Sequence, residues 1–385
     1  MKPNRKLFQS LVVIACFLML GARAYAQPVL NSPVVSPQVS SNRTVTVRLS
    51  APDAKTVTVT GDFTRTAETP MTKDDKGVWS FTSPVLEPGV YGYFFKLDGV
   101  RVPDPGNLLI SSGATFLKSY VEVNGDQPQF WSVRDVPHGT LHENLYKSPS
   151  LGTTRRIMVY TPPGYNESNK KDYPVLYLYH ASGDNETFWF KVARANFIMD
   201  NLLADGKAKP TLIVTCFGHT SVPPGPEEGG PGGLYDVNLI EKDLLENVIP
   251  LVEKEYRVSK QGKDRAIAGH SMGGYHAMTI GLNNPDKFGY VAGFSAGFRA
   301  NQDLDANFKG LLADPKKSNE ELQHVWVQVG ADEGNGMIGP NRSVDAFLTA
   351  KGIKHDLVVI PGGWHSWMTW RGSLRDLLPQ LFTDN

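Results

Sequence analysis

The spacing of apolar runs differs between the two halves of the sequence, and this difference constrains the fold most strongly. Between about residues 155 and 362, short β-type runs such as YPVLYLYH (173–180) alternate with runs of helical periodicity such as LIEKDLLENVIPLVEKEY (239–256). Strands alternating with helices predict a parallel sheet covered on both faces, which binds ligands at the carboxyl ends of its strands. Between about residues 38 and 124, short runs such as TVTVRL (44–49) are separated by turn residues and predict a small all-β immunoglobulin-like sandwich.

The first 26 residues have the layout of a signal peptide. Basic residues precede the apolar run LVVIACFLML (11–20), and ARAYAQ (22–27) contains the small residues of a cleavage site. The polar segment NGDQPQ (124–129) separates the two halves of the remaining chain. We therefore expect a secreted or periplasmic protein with a signal peptide at 1–26, a β-sandwich domain at 27–125 and an α/β domain at 130–385.

Charge and cysteine content argue against several classes of protein. The chain has 39 basic and 39 acidic residues, and residues 1–26 contain four of the basic ones and none of the acidic ones. The remaining chain is mildly acidic, which argues against a nucleic-acid partner. The apolar run of the signal peptide is too short for stable membrane insertion. Only Cys216 remains after cleavage, so we expect no internal disulfide.

A serine between glycines is the main candidate for a catalytic group. The segment Gly269-His270-Ser271-Met272-Gly273 follows the β-type run RAIAG (265–269) and precedes a helical pattern. A G-x-S-x-G pattern in this setting is typical of the sharp strand-to-helix turn that exposes the nucleophile of α/β-hydrolases. The alternative is an ordinary glycine-rich loop. The position at a predicted strand end favours Ser271 as a nucleophile.

His365 is the predicted base for Ser271. A serine nucleophile needs a histidine to accept its proton, and in the α/β-hydrolase arrangement the order along the chain is Ser, acid, His. Of the later histidines, His276 lies on the predicted helix, and His324 and His355 stand at the starts of predicted strands. His365 follows the last predicted strand, in a segment rich in glycine and tryptophan.

Two adjacent carboxylates compete for the role of the acid. Asp332 and Glu333 both follow the predicted strand VWVQVG (325–330). Adjacent residues leave a strand end in different directions, so only one of the two can reach His365. The pattern of residues leaves the choice between them open.

Two backbone N–H groups are expected to stabilise the oxyanion. One belongs to Met272, which directly follows the nucleophile, and the other to Ala181 or Ser182 in the loop after VLYLYH. We expect neither a metal nor an organic cofactor. The remaining histidines and carboxylates show no spacing typical of metal ligands.

Longer segments of the sequence resemble known families. The segments similar to the feruloyl and acetylxylan esterases of carbohydrate esterase family 1, which are related to esterase D and enterochelin esterase, are YTPPGY (160–165), LYHASGDNETFW (178–189), IAGHSMGGYHAM (267–278), NPDKFGYVAGFSA (284–296) and PGGWHSWMTWRGSL (361–374). The segments SAPDAKTVTVTGDF, MTKDDKGVWSFT, LEPGVYGYFFKLDGVRVPDP and SYVEV resemble family-48 carbohydrate-binding modules. Together, these resemblances span nearly the whole chain after residue 26.

The resemblance implies an α/β-hydrolase domain and assigns roles by position. Ser271 matches the nucleophile and His365 the base in the pattern Gly-Gly-x-His-x-Trp. Members usually show Gly-x-x-Asp at the acid position, where Glu333 stands three residues after Gly330, so the resemblance favours Glu333 over Asp332. A glycine commonly occupies the position of Ala181. An alanine N–H donates equally well.

The resemblance also implies a substrate class. We expect a serine esterase that releases ferulate or acetate from xylan side chains, with plant cell-wall polysaccharide or oligosaccharide esters as its partners. Trp189 and Trp367 are expected to stack on the acyl group or a sugar ring. The alternatives are a siderophore esterase or a small-acyl thioesterase on the same fold, and a non-catalytic glycan-binding protein.

Overall fold

A computed structural model describes residues 34–114, 116–167, 172–220 and 236–383 of the chain. The predicted signal peptide at 1–26 lies outside these residues. In the part of the chain that the structure describes, no helix has both the length and the hydropathy of a membrane-spanning segment.

The first part of the chain forms two antiparallel sheets packed as a sandwich. Among the described residues, its strands are β1 (Gln38–Val39), β2 (Val45–Ser50), β3 (Val57–Gly61), β4 (Thr69–Pro70), β5 (Thr72–Lys73), β6 (Val78–Thr82), β7 (Gly89–Leu97), β8 (Val100–Val102), β9 (Ile110–Ser112) and β10 (Leu117–Val123). One sheet has the order β1-β2-β6-β5, and the other has the order β4-β3-β7-β10-β9 with β8 beside β7. Val45, Val47 and Leu49 alternate with less buried neighbours along β2, as the period-2 pattern predicts.

The second part forms one mixed sheet. Its strands in the described chain are β11 (Thr140–Ser148), β12 (Thr153–Thr161), β13 (Val175–Tyr179), β14 (Leu212–Cys216), β15 (Arg265–His270), β16 (Tyr290–Phe294), β17 (His324–Gly330) and β18 (Asp356–Ile360). Their order is β11-β12-β14-β13-β15-β16-β17-β18. The strands from β14 to β18 along this order are parallel, whereas β12 runs antiparallel to both β11 and β14.

Helices cover both faces of this sheet. In the described residues they are α1 (Phe188–Lys191), α2 (Ala195–Ala204), α3 (Val237–Asp243), α4 (Ile249–Glu255), α5 (Met272–Asn283), α6 (Leu304–Asn307), α7 (Lys309–Ala313), α8 (Pro315–Glu321), α9 (Asn335–Ala350) and α10 (Trp367–Leu377). A π-helical turn at Leu244–Val248 joins α3 to α4, so the long predicted helix is continuous but irregular. Every residue of β13 and β14 is buried, as expected for parallel strands covered on both faces.

The sandwich packs directly against the α/β domain. Phe188 of α1 contacts Phe116 and Tyr120 of the sandwich edge-on, with ring centroids 6.3 and 6.5 Å apart. Arg194 forms a bidentate ion pair with Glu122, at 2.8 and 3.0 Å. A shared apolar cluster and a two-bond ion pair therefore hold the two parts together. The predicted boundaries at residues 125 and 130 fall between β10 and β11.

Candidate active site

Ser271 occupies a sharp turn between β15 and α5. Its backbone has φ 51° and ψ −120°, a region that costs a non-glycine residue about 1–3 kcal/mol. The Ser271 N–H donates to the Phe294 carbonyl (2.9 Å), and the Gly297 N–H donates to the Ser271 carbonyl (2.8 Å). Backbone bonds to the neighbouring strand end therefore hold the strained conformation.

The glycines on either side of Ser271 are required by close packing. A Cβ at Gly269 would overlap the carbonyl of Gly273, and a Cβ at Gly273 would overlap the backbone of Tyr179 and His180. Strand β15, helix α5 and the end of β13 approach each other only because these positions lack side chains. This is the arrangement that distinguishes the strand-to-helix turn from an ordinary glycine-rich loop.

Three side chains form a continuous hydrogen-bonded series. Nε2 of His365 lies 3.0 Å from Oγ of Ser271, and Nδ1 of His365 lies 2.8 Å from Oε2 of Glu333. The Glu333 side chain is fully buried, whereas the His365 side chain is 36% exposed. A carboxylate at Nδ1 selects the tautomer that leaves Nε2 free to accept a proton from the hydroxyl.

The structure places Glu333, and not Asp332, against His365. The second oxygen of Glu333 accepts hydrogen bonds from the Gly330 N–H (2.8 Å) and the Ser295 hydroxyl. Asp332 is exposed, and its backbone N–H donates to the carbonyl of Gly363. The turn after β17 thus directs the Glu333 side chain inward against His365 and the Asp332 side chain towards solvent.

Sequence reasoning missed two residues that support this series. Ser295, with φ 48°, donates to Glu333 and accepts a hydrogen bond from Nε1 of Trp370 (3.1 Å). The Trp370 ring also meets the His365 ring edge-on, with centroids 4.8 Å apart. Ser295 follows β16, which lies between the strands carrying Ser271 and the acid. In the sequence, Ser295 could have been identified as a hydroxyl group at the end of this middle strand.

Ser271 opens into a cavity of about 860 Å³. Met272 and Ser182 line it, and Met272 is the first residue of α5, where N–H groups have no partner within the helix. Ala181 is buried, and its carbonyl accepts a hydrogen bond from the Asp184 N–H (3.2 Å). Of the two residues predicted to carry the second oxyanion donor, Ser182 lines the cavity and Ala181 is buried beside it, and the assignment of the donor stays a prediction.

Two buried histidines hold the loop after β13. Nε2 of His219 accepts from the Gly183 N–H (3.2 Å), and Nε2 of His180 accepts from the Gly218 N–H (2.9 Å). Burial lowers the pKa of His180 well below its usual value, so the ring is neutral. A neutral ring with Nδ1 bonded to the Ala181 carbonyl (2.7 Å) leaves Nε2 as the acceptor that this arrangement requires.

The sandwich also contacts this loop. The N–H of Ala114, between β9 and β10, donates to the carbonyl of Gly183 (2.7 Å), and the side-chain amide of Asn185 donates to the carbonyl of Ser112. The loop after β13 therefore lies between the sandwich on one side and His219 on the other.

The prediction that Trp189 and Trp367 contact substrate is wrong. Trp189 is 0% exposed, and its Nε1 donates to the Tyr179 carbonyl (2.9 Å). Trp367 is 6% exposed and packs on Trp189, with ring centroids 5.1 Å apart, and on His270, at 4.4 Å. Both rings belong to the core behind the nucleophile, and sequence position near the site could not distinguish packing from binding.

Replacing Trp189 by alanine should therefore affect stability first. We expect the free energy of unfolding to fall by about 3–5 kcal/mol, because a large buried ring leaves a cavity. Urea denaturation would measure this loss. The control is Leu108→Ala, at a side chain 98% exposed, for which we expect a change within about 0.5 kcal/mol. A Trp189→Ala protein with unchanged stability and a raised KM would return Trp189 to a binding role.

Comparisons with known proteins agree with the two-part fold. Residues 148–381 match the Esterase family model, described as "Putative esterase", and residues 35–110 match carbohydrate-binding module 48 (isoamylase N-terminal domain). An endo-1,4-beta-xylanase/feruloyl esterase of Xylanibacter ruminicola is 33% identical over 351 residues, which cover 90% of this chain and 46% of the relative. A ferri-bacillibactin esterase of Bacillus subtilis is 39% identical over 147 residues, which cover 36% of this chain and 48% of the relative.

Solved structures show the same fold. A ferulic acid esterase superposes with a TM-score of 0.55 at 25% identity, over 63% of this chain and 97% of its own. The enterobactin esterase of Shigella flexneri superposes with a TM-score of 0.64 at 20% identity, over 88% of this chain and 92% of its own. The chain spans less than half the length of both sequence relatives described above. The chain belongs to the esterase family, with an amino-terminal module of the CBM48 type.

Proposed function

We propose that this chain is a secreted serine esterase that releases ferulate or acetate from xylan side chains. Ser271 is the nucleophile, His365 the general base and Glu333 the acid that orients it. The observation that carries the proposal is the hydrogen-bonded series from Glu333 through His365 to Ser271, which ends at a large cavity. This is the arrangement that serine catalysis of acyl transfer needs.

The reaction follows in two steps. Oγ of Ser271 attacks the ester carbonyl while Nε2 of His365 takes its proton, and the oxyanion faces the N–H groups of Met272 and Ser182. His365 then gives the proton to the leaving alcohol oxygen as the C–O bond breaks, which leaves an acyl group on Ser271. In the second step, His365 deprotonates a water, the water attacks the acyl carbon, and the carboxylic acid leaves as Ser271 regains its proton.

Two observations support the substrate class. The Xylanibacter ruminicola relative, named as a xylanase and feruloyl esterase, matches 90% of this chain. The sandwich matches a carbohydrate-binding module, which is consistent with a polysaccharide ester. The signal-peptide layout of residues 1–26 supports export to the periplasm or the extracellular medium, where the protein would encounter plant cell-wall esters.

A siderophore esterase is the second candidate. The enterobactin esterase structure covers 88% of this chain, whereas the ferulic acid esterase covers 63%. The Bacillus subtilis relative adds a stretch of 39% identity. The shared fold and this partial sequence match make the identity of the acyl group a question for experiment.

Three substrates separate the candidates. The protein from Gln27 onward would be assayed on methyl ferulate, on acetylated xylan and on a catecholate siderophore ester. We expect release of ferulate from methyl ferulate. Acetate release alone would assign a deacetylase. Activity on the siderophore ester alone would overturn the polysaccharide proposal.

The contact between the sandwich and the loop after β13 predicts that a substitution at Gly113 lowers turnover. A Cβ at Gly113 would overlap the carbonyl oxygen of Gly183, so Gly113→Ala must displace one backbone or the other. We expect kcat to fall about tenfold, since displacements near 1 Å at a catalytic loop have effects of this order or larger. Steady-state kinetics would test it against Gly372→Ala, where no atom outside the backbone of its own helix lies within 4 Å of the added Cβ. Equal kinetics in both variants would contradict the expectation.

A further inference from the structure

A buried histidine directly precedes the nucleophile and takes no part in the hydrogen-bonded series. His270 is the last residue of β15, and its side chain is 0% exposed. The rings of Trp189, Trp367 and Trp370 surround it, with centroids 5.0, 4.4 and 4.3 Å from that of the imidazole. Among the described residues, neither ring nitrogen has a hydrogen-bond partner within ordinary distances and angles. Buried polar groups are nearly always hydrogen-bonded, so this ring needs an explanation.

The carboxyl group of Asp184 faces the His270 ring. Its Oδ2 lies 3.6 Å from Nε2 of His270, and the Asp184 side chain is 8% exposed. This distance is longer than a hydrogen bond, and a shift of about 0.6 Å would bring the two atoms within bonding distance. Hydrogen bonds around catalytic groups often shorten when substrate binds. Asp184 and His270 are therefore placed to become hydrogen-bond partners.

Asp184 belongs to the loop after β13 that forms part of the active site. Its backbone N–H donates to the Ala181 carbonyl (3.2 Å), which closes the turn that carries Ser182. Ser182 lines the cavity that contains Ser271. The contact between Asp184 and His270 therefore joins the wall of this cavity to the residue that precedes the nucleophile.

The His270 ring also contacts the residues that support the catalytic base. Trp370 lies against His270 with an angle of 38° between the ring planes. Nε1 of Trp370 donates to Ser295, and its ring meets that of His365 edge-on. Because protein interiors are close-packed, a displacement of His270 would reach both the nucleophile turn and the base.

We propose that Asp184 is a positioning residue of the esterase: through His270, it holds the loop that carries Ser182 against the turn that carries Ser271. This inference rests on the proposed role of Ser271 as the nucleophile. It is independent of the identity of the acyl group.

The protonation state of Asp184 decides which hydrogen bond it can form. Burial raises the pKa of Asp184 to about 8. The carboxyl group is faced by Lys118 and Tyr120 of β10, Asp62 after β3 and His270 of β15. Lys118 partly offsets the effect of burial on the pKa, and Asp62 adds to it. Burial also raises the pKa of Tyr120 well above its usual value, so Tyr120 stays neutral at pH 8.

The His270 ring is also neutral, because burial lowers its pKa well below the usual value. Below pH 8, the protonated carboxyl group of Asp184 can donate its O–H to the unprotonated nitrogen of the ring. Above pH 8, the carboxylate can only accept, and it brings a charge into a buried site. We therefore expect the positioning effect to weaken as the pH rises through about 8.

A pair of variants tests the positioning role. Asp184→Ala removes the contact with His270, and Asp184→Asn keeps a donor of the same shape. Both would be assayed at pH 7 on phenyl acetate, an ester with no ionisable group. We expect kcat to fall at least tenfold in Asp184→Ala with KM within twofold, because misplaced groups act mainly on the transition state, and kcat to stay within threefold in Asp184→Asn. Wild-type kcat in Asp184→Ala, or equal losses in both variants, would overturn the proposal.

The pH profile separates positioning from a purely structural role. The pH dependence of kcat/KM reports ionisations of the free protein. We expect the wild-type kcat/KM to fall with an apparent pKa near 8, and this fall to be absent from Asp184→Asn, because an amide does not ionise. The control is Asp126→Asn, which changes an exposed carboxyl group between β10 and β11 and should keep the wild-type profile. A fall near pH 8 that persists in Asp184→Asn would contradict the proposal.

Ser271→Ala separates this inference from the proposed function. If Ser271→Ala is inactive on phenyl acetate while Asp184→Ala matches the wild type, the nucleophile stands and the positioning role of Asp184 fails. If Ser271→Ala keeps the wild-type kcat, the proposed function fails whatever the Asp184 variants do. Circular dichroism would establish that each variant is folded. If Asp184→Ala does not fold, the pH profile of Asp184→Asn decides the question.

Discussion

Replacing Ser271 by alanine is expected to lower kcat about 10⁶-fold, the order found when a serine protease loses its nucleophile. Without Oγ, no acyl-enzyme forms, and water must attack the ester without covalent catalysis. The cavity and the N–H groups of Met272 and Ser182 remain, so some acceleration over water should persist. The measurement is steady-state hydrolysis of methyl ferulate.

The Ser271→Ala experiment has an internal control. Ser343→Ala removes an exposed hydroxyl from α9 that is bonded only to the Gly339 carbonyl among the described residues, and its kcat should match the wild-type value. Alanine at 271 removes one atom from a strained turn, so circular dichroism and the unfolding midpoint should remain near those of the wild type. A Ser271→Ala protein that keeps more than a tenth of the wild-type kcat would refute nucleophilic catalysis by Ser271.

Replacing Glu333 by glutamine is expected to lower kcat about 10³–10⁴-fold. The Glu333 carboxylate accepts hydrogen bonds from the Gly330 N–H and the Ser295 hydroxyl, and it lies against Nδ1 of His365. An amide of the same shape presents an NH₂ group to one of these donors. If the NH₂ group faces the Gly330 N–H, the hydrogen bond to the backbone is lost, and if it faces His365, it selects the wrong tautomer of the imidazole. In either orientation, the neutral amide no longer stabilises the imidazolium of the transition state.

Asp332→Asn is the matched control for Glu333→Gln. The Asp332 side chain is exposed, and among the described residues only its backbone N–H forms a hydrogen bond, to Gly363. We expect kcat within about twofold of the wild-type value, as for surface substitutions away from a site. The assignment of the acid fails if Asp332→Asn loses as much activity as Glu333→Gln.

Strong local patterns made much of this fold predictable. The buried parallel strands β13, β14 and β15 are nearly continuous apolar runs, and α5 follows the glycine-flanked serine directly. Chain order then pointed to His365, because the base follows the last strand of such sheets. The distance of 3.0 Å between Nε2 of His365 and Oγ of Ser271 agrees with this chain order.

Other features depend on tertiary structure and leave little trace in the sequence. Strand β11 was not predicted, because most of its residues are exposed or half-buried and give a weak apolar signal. The antiparallel direction of β12 follows from its hairpin with β11 and so was missed with it. The choice of Glu333 depends on the turn after β17, and the core role of Trp189 depends on packing from several elements.

The most direct test of the account is to identify the residue that becomes covalently modified. The protein would be treated with an aryl phosphate ester such as diethyl p-nitrophenyl phosphate, which transfers a phosphoryl group to an activated serine, and then digested and mapped by mass spectrometry. We predict one diethylphosphoryl adduct, on the peptide containing Ser271, that appears in step with the loss of esterase activity and is absent from Ser271→Ala. Complete inactivation with the adduct on another residue, or full activity after stoichiometric modification of Ser271, would contradict the account.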